Sequence, residues 1–123
     1  MARTVLYQWV WRRMSQLTLR ISVFEYEKTM GIILEGRVAG PWVAELSRVW
    51  VETAPQLNSR KFLIDLRNVT YADSAGTDAL KQIYKQTHAK LLAGSPWTEY
   101  LASEIRKTAS LDANEEIENA NRA

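Results

Sequence analysis

Hydrophobic and polar residues alternate near the start of the chain, and the same alternation or a short apolar run returns three more times. Leu19, Ile21 and Val23 are separated by polar residues, which is the period of a half-buried strand. The apolar positions then shift to Phe24 and Tyr26, which suggests a bulge or a twisted edge. The predicted strands cover residues 17–23, 30–34, 62–66 and 89–92.

Helical periodicity separates these strands. Helices are predicted to begin near Pro41, Ser74 and Pro96, and Pro55 is predicted to end the first one. Their predicted inward faces are Trp42, Val43, Leu46, Val49, Trp50 and Thr53; Leu80, Ile83, Tyr84 and Thr87; and Trp97, Leu101 and Ile105. Strands that alternate with helices predict a mixed sheet with crossovers, covered mainly by helices, and therefore an α/β domain.

Composition limits the classes of function. A chain of 123 residues suits one domain, and its net charge of +2 is too small to indicate nucleic-acid binding. The absence of cysteine excludes disulfides, thiolate metal sites and cysteine nucleophiles. No apolar run approaches the roughly 18–20 residues needed to span a bilayer. The first 14 residues lack the order of a secretion signal, so we expect a cytoplasmic protein.

The Asp73-Ser-Ala-Gly76 sequence is the most informative motif. It follows a predicted buried strand and opens a helix, the position at which open α/β sheets engage ligands and partners. Free amides at a helix start also favour anions. Asp73 and Ser74 are good N-cap residues, so a purely structural role in starting the helix is the alternative.

The order of elements and three motifs together resemble the STAS domain (sulphate transporter and anti-sigma factor antagonist), in its stand-alone bacterial form. The motifs are residues 34–38 (Leu-Glu-Gly-Arg-Val), 62–66 (Phe-Leu-Ile-Asp-Leu) and 71–76 (Tyr-Ala-Asp-Ser-Ala-Gly). The resemblance implies a single STAS-like α/β domain at 17–108, with a mixed four-stranded sheet covered mainly by three helices. Residues 1–16 would then be an N-terminal extension, and residues 109–123 a polar C-terminal tail.

The same resemblance implies a role in protein interaction, with two departures. In the family, the hydroxyl residue before the motif glycine is the phosphoacceptor for a partner kinase, and here that position is Ala75. Ser74 is adjacent but would point about 100° away around the helix, so it is only a weak candidate for phosphorylation. Ala39 stands where the family often has an acidic residue of the partner surface. Regulation by phosphorylation is therefore in doubt, whereas the fold is not.

The expected function is a non-enzymatic antagonist of an anti-sigma factor, without the usual phosphoacceptor, which needs no cofactor or metal. Its protein partner would be a kinase-like anti-sigma factor. One alternative is a STAS subunit that stabilises an ABC-type ATPase in a lipid-transport or stress complex. Another is a small-ligand or nucleotide-binding domain, although the chain has neither glycine-rich phosphate-binding motif. The predicted partner-binding residues are Arg37, Ala39, Gly40, Asp73, Ser74, Ala75, Gly76, Thr77, Asp78 and Lys81.

Other residues that carry chemistry fit ordinary roles better. Ser74 and the only histidine, His88, would lie roughly 20 Å apart on one helix, whereas a nucleophile and its base must be within about 3 Å. Asp65 is expected to pair with Arg67 or Arg60.

Two terminal clusters complete the candidates. The N-terminal cluster of Trp9, Trp11, Arg12 and Arg13 is expected to pack on the sheet, to add a strand to it or to form a homo-oligomer contact. Membrane or nucleic-acid binding is the alternative. The glutamates of the C-terminal tail are expected to be solvated rather than to bind a metal.

Overall fold

The computed structural model describes the backbone of residues 3–7 and residues 19–107 in full. The elements run in the order strand, strand, strand, helix, strand, helix, strand, helix. They are β1 (Arg3–Tyr7), β2 (Leu19–Glu25), β3 (Thr29–Val38), α1 (Trp42–Thr53), a 3₁₀ turn (Ala54–Gln56), β4 (Lys61–Ala72), α2 (Ser74–Thr87), β5 (Lys90–Leu92) and α3 (residues 96–107).

The sheet is mixed, with the strands in the order β1-β2-β3-β4-β5. β1 and β2 pair antiparallel, as do β2 and β3, whereas β3, β4 and β5 run parallel. The four strands predicted for residues 17–108 are therefore confirmed. β1 adds a fifth strand at the edge and comes from the segment that was expected to lie outside the domain. Trp9, Trp11, Arg12 and Arg13 lie outside the described residues, as does the acidic tail from residue 108 onward.

The parallel pair β3–β4 is longer than the sequence pattern predicts. β3 was expected to stop at Glu35-Gly36, but it continues to Val38 with Gly36 at a φ of 108°. β4 was expected to stop before Arg67-Asn68, but it continues to Ala72. The register of the β3–β4 pairing shifts between Ile33 and Glu35 and again between Gly36 and Arg37. At each shift β4 contributes one more residue than β3. The pairing of β2 with β3 is regular to Glu25, so the bulge expected at Phe24 is absent from this pair.

One hydrophobic core lies between the sheet and its helices. α1 contacts β2 and β3, while α2 contacts β4 and α1. The aromatic rings of Trp50 and Phe62 lie 5.2 Å apart, and the Trp50 indole N–H donates to the Gln86 side chain at 3.2 Å, which ties α1 to α2. Of the inward face predicted for α2, Leu80 and Ile83 are almost fully enclosed, whereas Tyr84 and Thr87 are partly buried.

The helix boundaries agree with their sequence signals. α1 begins directly after Pro41, and Pro55 lies in the 3₁₀ turn that follows the helix. α3 begins at residue 96, where the Thr98 amide donates to Ser95 Oγ and the Ser95 amide donates to Thr98 Oγ1. This reciprocal pair gives acceptors to the Ser95 and Thr98 amides at the helix start. α3 therefore has a fixed starting point beside α2.

Candidate functional site: the carboxyl ends of the central strands

The carboxyl ends of β3 and β4 meet at one edge of the sheet, because the two strands are parallel neighbours. β3 is followed by the loop Ala39-Gly40-Pro41, and β4 is followed by Asp73 and the first turn of α2. The backbone amide of Asp73 donates to the Val38 carbonyl at 3.2 Å, which extends the strand pairing into the loop. The two predicted halves of the site are therefore adjacent.

The Asp73 carboxylate holds these two segments together. Oδ1 accepts from the Gly76 amide at 2.7 Å and caps α2, as the motif predicts. Oδ2 accepts from the Gly40 amide at 3.1 Å, a contact that the sequence could not indicate. The two backbone hydrogen bonds, with a smaller contribution from Arg37, hold the pKa of Asp73 below its ordinary value. Asp73 is therefore both a helix cap and a clamp between loops.

Two glycines allow this arrangement for different reasons. Gly76 is buried against β3, and a Cβ atom there would lie 2.0 Å from the Val38 carbonyl oxygen, closer than any real contact. Gly40 is exposed and has open space around it, but its φ of 59° is a left-handed conformation that side chains disfavour. The first glycine sets how closely α2 approaches the sheet, and the second sets the turn into α1.

Small side chains form the exposed part of the site. Gly40, Ser74 and Ala75 are exposed, and Ala39 is partly buried. The Thr77 hydroxyl and amide both donate to the Asp73 carbonyl, each at 2.9 Å. The residues of this loop region that were predicted to bind a partner thus share one surface. The Gly76 and Thr77 amides already donate to Asp73. Fewer free amides are therefore left at the helix start to bind an anion than the sequence predicted.

An arginine stacked on a tyrosine borders this surface. The guanidinium carbon of Arg37 lies 4.3 Å from the centre of the Tyr71 ring, and Tyr71 is 42% exposed. Tyr71 was not among the predicted site residues. Its signal was available in the sequence: a large aromatic residue two positions before the capping aspartate, at the end of a strand.

A groove continues the site along α2. It has a volume of about 270 Å³ and lies between the first turns of α2 and the facing side of α3. Asp78 and Lys81, predicted on the solvent side of α2, form one wall. Trp97 and Tyr100 belong to the other wall, and sequence reasoning missed them because the packing of α3 beside α2 is a tertiary contact. The lining residues are Ala72, Asp73, Ser74, Thr77, Asp78, Lys81, Trp97, Tyr100, Leu101 and Glu104.

The other candidates take structural roles. Asp65 is buried, and its carboxylate accepts two hydrogen bonds from the Arg67 guanidinium, at 3.0 and 2.8 Å. This partner lowers the pKa of Asp65. The predicted pairing with Arg67 is therefore confirmed, whereas Arg60 pairs with Glu25 at 3.0 Å. His88 ends α2 in a left-handed conformation, at the opposite end of the helix from Ser74.

Neither a metal centre nor a membrane helix is found in the part of the chain that the structure describes. Across residues 19–107 no three acidic or histidine side chains are grouped so that they can hold a metal ion. None of the described helices is both long and apolar enough to cross a bilayer.

Comparison with known proteins agrees with this geometry. The sequence profile of the STAS domain matches residues 17–92, which is more than half of the chain. The chain therefore belongs to the STAS domain family, a class of α/β domains with a general role in protein interaction. No curated protein sequence matches it closely enough to add to that assignment.

Proposed function

We propose that this STAS domain is a non-enzymatic, cytoplasmic protein-interaction module that resembles an anti-sigma factor antagonist and is not controlled by phosphorylation at the usual position. Its partner surface, called here the clamp surface, comprises Arg37, Ala39, Gly40, Tyr71 and residues 73–77. The observation that carries the proposal is the double contact of Asp73, which fixes Gly40 and Gly76 in one rigid surface.

Rigidity matters because ordering mobile loops on binding costs free energy. Loops that are already held together lose less conformational freedom when a partner arrives, so more of the contact energy appears as affinity. Apart from Tyr71, the exposed residues of the clamp surface are small, which permits close backbone approach. Arg37 and Tyr71 at its border are residue types that often dominate binding energy.

Ala75 supports a constitutive form of this interaction. It is exposed in the first turn of α2, where the family carries a phosphorylated hydroxyl, and a methyl group accepts no phosphate. A module without that switch would bind its partner whenever both are present. Its regulation would then rest on the amount of protein rather than on a kinase.

The test is binding of a partner captured from the native host with the wild-type protein and identified by mass spectrometry. Ala75→Glu places a carboxylate in the clamp surface and should weaken that binding at least tenfold, a loss of about 1.4 kcal/mol. Ser47→Glu, which adds the same charge to an exposed position of α1, is the matched control and should bind as wild type. Equal binding by both variants would place the interface elsewhere and leave Asp73 as a helix cap.

The identity of the captured protein distinguishes the two family roles. A kinase-like ATPase is expected for antagonism of an anti-sigma factor. An ABC-type ATPase would replace that proposal with the stabilising subunit of a transport or stress complex.

A further inference from the structure

The groove beside the clamp surface has two helical walls. Along α2 it is lined at Ser74, Thr77, Asp78 and Lys81, and along α3 at Trp97, Tyr100, Leu101 and Glu104. Both sets follow the three- and four-residue spacing of a single helix face. Seven residues of helix extend about 10 Å, which is the length of about three residues of extended peptide.

The aromatic wall is held in place. The Trp97 indole N–H donates to the Val69 carbonyl at 3.0 Å, which anchors α3 to β4. The Tyr100 ring lies 6.2 Å from the Trp97 ring and is 59% exposed, whereas Leu101 below it is buried. The groove therefore offers an aromatic surface in which Trp97 is anchored and the Tyr100 ring beside it is exposed.

The charge of the groove is opposite to that of the whole chain. The chain carries +2, yet three carboxylates line the groove (Asp73, Asp78 and Glu104) against one ammonium group, on Lys81. The Asp73 carboxylate already accepts hydrogen bonds from two backbone amides. Glu104 forms an ion pair with the exposed Lys107 at 3.2 Å. Among the described residues, none forms a side-chain ion pair with Asp78.

The size and the charge of the groove together indicate which kind of ligand it can bind. A volume of about 270 Å³ is below the roughly 300–1,000 Å³ typical of sites for small molecules. The phosphates of a nucleotide would meet three carboxylates. A cationic side chain with a short length of backbone fits both the volume and the charge.

We propose that this groove receives an arginine-bearing segment of the protein partner, with the guanidinium beside Asp78 and Glu104 and its flat face on Tyr100. This inference deepens the proposed function and rests on it, since it names the chemistry that the partner presents next to the clamp surface. Arginine is preferred to lysine because its planar, weakly hydrated cation both stacks on an aromatic ring and donates two parallel hydrogen bonds to a carboxylate.

The experiment is selection from a displayed random-peptide library against the whole protein, followed by synthesis of the most enriched peptide. We expect the enriched sequences to carry arginine next to an aliphatic or aromatic residue. Replacing that arginine by citrulline, which is neutral and nearly the same shape, should weaken binding at least tenfold. The combined Asp78→Asn and Glu104→Gln variant should weaken it by a similar factor.

Glu99→Gln is the matched control, because Glu99 is an exposed acid of α3 outside the groove. It should bind the peptide as wild type, and thermal melts should show that all variants remain folded. Selection without an excess of basic residues would overturn the inference, as would equal binding of the citrulline peptide. Equal binding by the double variant would also overturn it.

These results are separable from those for the clamp surface. If the peptides fail while the captured partner still responds to Ala75→Glu, the groove inference falls and the proposed function stands. If the peptides bind through arginine but the partner ignores Ala75→Glu, the proposed function falls and the groove remains a binding site.

Discussion

The two ends of the central strands are both clamped by a single charged side chain, but with different results. At the carboxyl end, Asp73 accepts from two backbone amides. At the amino end, the Arg60 guanidinium donates to the carbonyls of Tyr26, Leu57 and Gln56 and pairs with Glu25. Both residues join segments that are distant in sequence.

The difference lies in what each clamp leaves exposed. The Arg60 and Glu25 side chains are only 19% and 16% exposed, so this pair is largely covered by the loops it joins. The short Asp73 side chain binds backbone alone, and small exposed residues surround it. The comparison indicates that the arginine end serves stability and that the aspartate end is available for binding.

The largest expected effect comes from the core that both ends share. Ile83→Asp would bury an unpaired charge under the sheet, and the protein should fail to fold because the loss exceeds about 4 kcal/mol. Gln82→Asp, at the exposed neighbouring position, should melt close to wild type. Circular dichroism melts measure both. A folded Ile83→Asp protein with an unchanged melting temperature would show that the assigned buried face of α2 is wrong.

The two glycines of the clamp surface should differ in their sensitivity. Gly76→Ala forces a methyl group against the Val38 backbone and should cost about 3 kcal/mol. Gly40→Ala meets open space and only backbone strain, so it should cost about 1 kcal/mol. Urea denaturation of both variants measures the difference. The reverse order would mean that α2 can move away from β3 at little cost.

The two clamps themselves should separate stability from binding. Arg60→Met removes the hydrogen bonds to three backbone carbonyls and the ion pair with Glu25, and it should lower the free energy of unfolding by about 2 kcal/mol while sparing partner affinity. Asp73→Ala should lower stability less but should weaken partner binding, because it frees the Gly40 loop. Urea denaturation gives the free energy of unfolding of both variants, and partner affinity is measured on the same preparations. A stable Asp73→Ala protein with full affinity would show that the clamp does not organise the interface.

Acid should loosen the aspartate clamp. The pKa of Asp73 is lowered in the folded protein, so its stabilising effect is fully present above the unfolded-state pKa. It is lost as the pH falls through the folded-state pKa. The stability difference between wild type and Asp73→Asn should therefore shrink on acidification from neutral pH. Asp65 titrates in both proteins and cancels from the comparison. A difference that stays constant would mean that the Asp73 carboxylate is not held by the two amides.

The smallest structural change is Ala75→Ser, which should leave the melting temperature almost unchanged. With ATP and an anti-sigma kinase of the native host, the wild-type motif should take up no phosphate, whereas the serine variant should become labelled. Phosphopeptide mapping distinguishes position 75 from Ser74. Stoichiometric labelling of wild-type Ser74 would restore ordinary control by phosphorylation and contradict the constitutive mode of binding.

Local patterns predicted the three helices and four of the five strands, because each of these shows its period within a few residues, whereas the edge strand β1 was missed. They did not predict that β3 and β4 continue past Gly36 and Asn68, since those continuations depend on the pairing of the two strands. The capping role of Asp73 was readable from its neighbours. Its bond to Gly40, 33 residues away, was not, because parallel pairing alone brings the loops together.

The two register shifts in β3–β4 have a consequence for how this surface can vary. Each shift places one additional residue on β4, so Arg67 and Asn68 both face outward, as do Thr70 and Tyr71. Each step is a bulge, which holds its extra residue without moving the residues beyond it. Deletion of the extra residue from either step should therefore give a regular strand with Asp73 still beside Gly40. The end of β4 can thus change in length by one residue at each step while the binding surface keeps its shape.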